Sequence, residues 1–469
     1  MNRSLSPIEK WLVSGILVLL SYTAWARGGT VLSLQALLPW MGLFLFPGIF
    51  IISWWYRKEG NSPIYGFRLV AEFLKDPIFY FGLVFMVLLL LQWWNAGRTN
   101  VFNETHHCWI YTPPRISFLP SAITKADARE MLRWFFPAWS ILLVLRRSVI
   151  TKNAINAVLI GVMLNASILS AFGIFQYATG THSIFWAVPL SGDFFASFGY
   201  ANHAGGFFTL ILAVSLGFLA NSCFCSYRKK MFSKRIIGFT ITSILLLTGA
   251  NLSLSVAGII LSWGLVFFAV VYGIWYVWRD IRPSVRINLV FACVAVLCIG
   301  YFVAAGVGKE KFTDSVAQIK SKTAEREVSA RFPKVETAFK IWNNNKLFGV
   351  GGWGYRYLAP NYVDDKTYES LKEAGSANVH NDPVQFLTEF GLLGYLMMSG
   401  VIICLVIPVC NKGIRIIRKP RVLYPLLGVI ITLLQSLFDL PFRSPAILYH
   451  WLIVLIALPY LGVHKKNGI

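Results

Sequence analysis

Apolar runs of about the length needed to cross a bilayer recur from one end of the chain to the other, and they dictate its fold class. A segment lying in hydrocarbon must satisfy its own backbone hydrogen bonds, so these runs are expected to be helices. The expectation is an all-α polytopic membrane protein. Composition agrees: 56% of the 469 residues are hydrophobic and the mean hydropathy is +0.60. The formal charge of +22 does not point to nucleic acid. Lys and Arg gather in short connections such as Arg146-Arg147, Arg228-Lys229-Lys230, Arg279 to Arg286 and Lys412 to Arg421, as the positive-inside rule requires.

The expected helices cover 11–26, 31–55, 77–94, 132–145, 154–178, 203–225, 236–252, 255–278, 287–307, 384–410, 422–440 and 444–463. Threading them with the basic loops inside gives about twelve crossings with both termini cytoplasmic. The long connections 95–131, 179–202 and 308–383 then share the opposite, periplasmic face. The chain therefore divides into transmembrane helices over 1–307, a large and partly helical periplasmic loop over 308–383, and further helices over 384–469. Ala24-Trp25-Ala26 has the small-x-small form of a cleavage site. Arg27 and another span follow at once, so a retained first helix is expected. Four of the seven cysteines lie in apolar runs, and their spacing suggests neither a disulfide framework nor a zinc site.

Where the longest polar stretch meets the membrane again, the chain reads Val379-His380-Asn381-Asp382-Pro383, then an apolar helix containing Gly391 and Gly394. An imidazole has an ordinary pKa of about 6.5, so its neutral form can accept a proton at pH 7. Placed as a general base it contributes on the order of 10²–10⁴ in rate. A histidine here can instead serve only as a helix-start residue beside an Asn381 or Asp382 cap. Gly391 and Gly394 read as small residues for close helix packing.

His-Asn, nine residues, then Gly-x-x-Gly resembles the signature of the bacterial O-antigen ligase and O-antigen polymerase family, at His380, Asn381, Gly391 and Gly394. Other stretches are similar to segments of that family. They are the Arg-led run Ser329 to Trp342, the Leu347-Phe348-Gly349-Val350-Gly351-Gly352-Trp353-Gly354 segment, the Phe198 to Phe207 approach to a helix, and Asp439-Leu440-Pro441-Phe442. The resemblance implies a C-type membrane glycosyltransferase of the inner membrane, free of metal and cofactor. Its donor would be a glycan on a polyprenyl diphosphate. The acceptor would be a lipid A-core sugar (a ligase), a growing glycan (a polymerase) or a protein hydroxyl. His380 would be catalytic, Arg331 would bind donor phosphate, and Asn202, His203 and Asn381 would lie near substrate.

One departure stands out. The family carries Ser-Arg-Gly at an outer turn where this chain reads Ser255-Val256-Ala257. Arg115 and Arg356, on outside loops, are the candidates to replace that cation, since Arg binds phosphate oxygens as a bidentate fork. His106-His107 and Asp364-Asp365 are read as loop residues without an assigned role. Trp342, Trp353 and Tyr355 suit either sugar stacking or interfacial anchoring. From another function class, a transporter would place ionisable groups near mid-bilayer with broken helices. Glu389, Asp439 and His450 are its only candidates in the apolar runs. Binding to membrane lipid follows from the spans; the oligomeric state stays open.

Overall fold

The computed structural model describes residues 4–58, 67–97, 100–103, 108–111, 114–147, 151–190, 193–229, 233–280, 331–363 and 378–462. The expected helix 287–307, His106-His107 and Asp364-Asp365 lie outside these residues, as does much of 308–383. Fifteen helices run through the described residues: α1 Pro7–Trp25, α2 Leu38–Lys58, α3 Phe67–Leu74, α4 Pro77–Asn95, α5 Lys125–Arg147, α6 Lys152–Ala178, α7 Ala201–Lys229, α8 Lys234–Leu252, α9 Val256–Asp280, α10 Arg331–Asn344, α11 Gly354–Leu358, α12 Asp382–Cys410, α13 Ile414–Ile417, α14 Pro420–Ser436 and α15 Pro445–Leu461. Six of them contain stretches long and apolar enough to cross a membrane, and shorter apolar helices accompany them. The protein is an integral membrane protein of helices, decorated by two small antiparallel hairpins: β1 Asn100–Asn103 with β2 Cys108–Tyr111, and β3 Ser183–Ile184 with β4 Val188–Pro189.

α15 explains the arrangement. It is apolar on every side, as a helix surrounded by protein is, and nearly all of it is buried. α1, α5, α6, α7, α12 and α14 pack around it. Because lipid tails are as apolar as Leu, such contacts hold by close packing rather than by expulsion of water.

Several helix ends differ from the sequence expectation: α2 starts at Leu38 rather than 31, after a short 3-10 turn over Leu34–Leu37, and two starts near the site shift for local reasons. α5 starts at Lys125 rather than 132, because Thr124 receives the amide of Asp127 at 3.1 Å and caps it. Residues 125–131 are thus about the first two turns of the helix and not loop. α12 starts at Asp382 under the side chain of Asn381, which accepts the Val384 amide at 3.0 Å.

The ends of the helices sort charged groups into two regions. At one end Arg146 and Arg147 share Asp76 at 2.9 and 2.8 Å, and Lys412 and Lys419 donate to the last carbonyls of the α15 region. At the other end meet residues 27–29, 199–202, 253–256, 347–356, 379–382 and 437–444, tied by hydrogen bonds such as Ser444 to the Gly28 carbonyl at 2.8 Å.

Candidate functional site

The short connection between α14 and α15, Leu437 to Ser444, is the hub of this second end. The Leu437 carbonyl accepts from Asn381 at 2.9 Å. The Leu440 carbonyl accepts from His203 Nε2 at 3.0 Å. The Phe442 amide donates to Asp382 at 2.8 Å. Asp439 Oδ1 accepts from the Tyr200 hydroxyl at 3.2 Å and lies 3.6 Å from His380 Nδ1. One segment therefore gathers the starts of α7 and α12.

His380 sits on backbone of unusual shape, with a φ of 57°, a left-handed conformation in which non-glycine residues are strained and which clusters at functional sites. Its Nδ1 is buried without a hydrogen bond, and so is Asp439 Oδ2. At 3.6 Å the imidazole and the carboxylate fall just short of hydrogen-bond distance. Pairs of this kind often tighten only when substrate binds. The His380 side chain keeps 23% of its surface open, and its Nε2 makes no hydrogen bond among the described residues. Chemically, the pair can take a proton at Nε2 and balance the resulting imidazolium with Asp439.

Below His380, α12 is broken. Gly391 has φ 65° and ψ −171°, a region that is essentially glycine's alone. The break releases backbone groups that need new partners, and residues 346–351 supply them. Leu392 and Leu393 donate to the Lys346 and Leu347 carbonyls at 2.8 and 3.0 Å, while Val350 and Gly351 donate to the Thr388 and Glu389 carbonyls at 3.1 and 2.8 Å. The two backbones cross so closely that a Cβ on Gly391 would stand 2.4 Å from the Leu347 oxygen, and one on Gly349 would stand 2.4 Å from Glu389 carbon. Gly394 has the packing role read from sequence, lying against Phe85 and Leu88 of α4. Gly391 adds to that expectation a backbone crossing.

The upstream half of α12 carries a buried ionic network. Arg443 donates to Glu389 at 2.7 Å and lies 3.8 Å from Asp382; Gln385 holds the other Glu389 oxygen at 2.9 Å. The Arg443 guanidinium also faces the Trp353 ring at 4.8 Å, and Arg356 faces the same ring at 4.9 Å. Trp353 donates to Glu130 at 2.9 Å. Asp382 and Arg443 are shared with the wall of a largely apolar cavity of about 280 Å³, to which Phe85, Trp134, Phe135 and Phe386 contribute.

Of the residues singled out in sequence, His380, Asn381, Asn202 and His203 come together. Asn202 accepts from Ser255 at 2.7 Å and donates to Tyr200 at 3.0 Å, so it joins the α7 start to the turn that bears Val256. Arg356 pairs with Asp127, which also accepts from Tyr357 at 2.8 Å; burial first, and then the Asp127 charge, push the Tyr357 phenol up. Arg115 is exposed, with its guanidinium 5.6 Å from the Trp94 ring. Arg331 opens α10, and its side chain lies outside the described residues. Sequence reasoning missed Asp439 as the partner of His380, Arg443 as the partner of Glu389, and Tyr200. The Asp439-Leu440-Pro441-Phe442 run was the available signal for the first two.

Residues 241–399 match the protein-family model described as O-antigen ligase. The match takes in the α10 run, the Leu347–Gly351 segment and the His380 motif, and it bears out the resemblance seen in the sequence. This family consists of membrane glycosyltransferases and implies a lipid-linked glycan donor and an acceptor. No curated protein matches the chain.

Proposed function

From a chain that carries an O-antigen ligase domain over residues 241–399, we propose an inverting, metal-independent glycosyltransferase. It moves a glycan from undecaprenyl diphosphate to an acceptor hydroxyl at the periplasmic face of the bacterial inner membrane. In this reading the site end of the bundle is periplasmic, both termini are cytoplasmic, and about twelve helices cross the membrane. His380 Nε2 removes the proton from the acceptor hydroxyl. That oxygen attacks the anomeric carbon, the bond to the diphosphate breaks on the opposite side, and the diphosphate leaves with the bonding electrons. Asp439 keeps Nδ1 turned inward and stabilises the imidazolium. Arg331 binds donor phosphate, while Asn202, His203 and Asn381 shape the approach.

The observation that carries this reading is the approach of His380 Nδ1, buried without a hydrogen bond, to within 3.6 Å of Asp439 Oδ1, on a carboxylate whose other oxygen, Oδ2, is buried without a partner. The apolar cavity bordered by Asp382 and Arg443 supports it, since a polyprenyl diphosphate joins a hydrocarbon chain to an anionic head. The acceptor sets the finer name: a lipid A-core sugar makes the protein a ligase, a glycan end makes it a polymerase, and a protein hydroxyl an oligosaccharyltransferase.

A transport reading has one observation in its favour, a helix broken beside the buried Glu389. Glu389 is held there by Arg443 and Gln385, and such a mechanism leaves the His380–Asp439 pair idle. Reconstitution with a lipid-linked oligosaccharide and a panel of acceptors separates the two. The wild type is expected to transfer glycan to one acceptor class, and His380→Ala to lose on the order of 10²–10⁴ of that rate. Undiminished transfer by the variant would remove His380 from the chemistry.

A further inference from the structure

The proposed leaving group is a diphosphate, and the described cluster around His380 is poorly charged to receive one. It contains the carboxylates of Asp382, Glu389 and Asp439 against the single guanidinium of Arg443, which already contacts two of them. Arg356 is paired with Asp127. At the turn after α8, Val256 offers no charge.

Arg27, in the connection between α1 and α2, has a cation to give. Among the described residues its guanidinium has no ion pair or hydrogen bond, and Nε is buried without a partner. The side chain is half-buried and reaches toward the start of α7: Nη2 lies 3.3 Å from where a Cβ on Gly199 would stand. The next residue, Tyr200, donates to Asp439, the partner of His380, and Asn202 bonds to the turn that bears Val256. Arg27 and Val256 thus flank the same start of α7. On its other side the Arg27 connection is fastened next to Arg443, through Ser444 to the Gly28 carbonyl at 2.8 Å. Gln35 holds the Gly29 carbonyl at 3.1 Å.

The backbone is equally informative. Arg27, Gly28 and Gly29 have φ values of 57°, 71° and 75°, three left-handed residues in a row. Glycine takes this conformation freely; arginine does so at a cost. An arginine at such a position, with its guanidinium unpaired among the described residues, is accounted for by what the side chain binds rather than by what it does for the fold.

We propose that Arg27 is a cation for the donor's diphosphate, placed across the α7 start from Val256. The assignment rests on the donor reading above. The guanidinium binds phosphate oxygens in charge-assisted hydrogen bonds, neutralising charge that builds as the glycosyl bond breaks. The side chain touches the leaving group and takes no part in proton transfer.

The test uses full-length protein in nanodiscs, with undecaprenyl diphosphate and undecaprenyl monophosphate as probes. Wild type is expected to bind the diphosphate more tightly. Arg27→Gly removes the cation and relieves the left-handed backbone, so its melting temperature should equal or exceed wild type. Its diphosphate affinity should fall about tenfold or more, with little change for the monophosphate. Arg27→Lys, which keeps the charge but not the fork, should recover part of that loss. An Arg27→Gly protein that keeps the wild-type preference for diphosphate overturns the assignment and leaves the donor reading standing. So does one whose melting temperature falls while Arg27→Lys binds no better than Arg27→Gly. A wild type that fails to bind the diphosphate overturns the donor reading itself.

Discussion

The two halves of α12 are one helix by sequence and two different objects in space. Upstream of Gly391, Asp382, Gln385, Thr388 and Glu389 are all buried, and each is hydrogen-bonded to a neighbouring segment or within the network. Downstream, Leu392, Leu396, Ile403 and Ile407 stand exposed, as expected of a face turned to lipid, and only a thin stripe of Gly394, Val401, Leu405 and Val409 is buried. The upstream half behaves as the floor of a polar site and the downstream half as an anchor. What divides them is a single left-handed glycine whose freed backbone groups are taken up by residues 346–351. The backbone opened at Gly391 lies against protein, the condition under which a broken helix is tolerated in a membrane protein.

If this contrast is right, damage should be large upstream and graded with the partner removed. Arg443→Ala leaves Glu389 and Asp382 buried without their cation, which costs on the order of 3–5 kcal/mol. Thermal unfolding of the detergent-solubilised protein should show it as a strong drop in melting temperature. Gly391→Ala forces a Cβ into the Leu347 oxygen and into a backbone region that costs about 1–3 kcal/mol even without the clash. Proteolysis of the 346–351 segment should speed up, and transfer should fall although His380 is intact. Asn381→Ala removes the cap of α12 and should cost about 1 kcal/mol, read as a small drop in melting temperature. Equal and minor effects from all three would dissolve the distinction between the halves.

Much of the molecule was legible in the sequence because the relevant signals are local. Apolar runs mark the spans, and His380, Asn381, Gly391 and Gly394 keep fixed spacing within one segment. The rest depends on distant segments meeting. Nothing local ties Asp439 to His380 or Arg443 to Glu389, since each pair forms only when the α14–α15 connection folds over the start of α12. Gly391 was readable as a small residue but not as a helix break, because glycine is compatible with both. The polar residues 125–131 looked like loop, although Thr124 caps a helix there. Arg27 entered the sequence reading only as a bulky residue that argues against cleavage after the first span; its unpaired state and its approach to Gly199 belong to tertiary structure.

The account depends most on His380 acting as a base, and chemical rescue tests that directly. His380→Gly removes the imidazole and suits the left-handed backbone at this position, so the fold should survive. Transfer from a lipid-linked oligosaccharide should drop by on the order of 10²–10⁴ and recover as imidazole is added to the assay. Transfer by His380→Gly at the wild-type rate without imidazole would contradict the account.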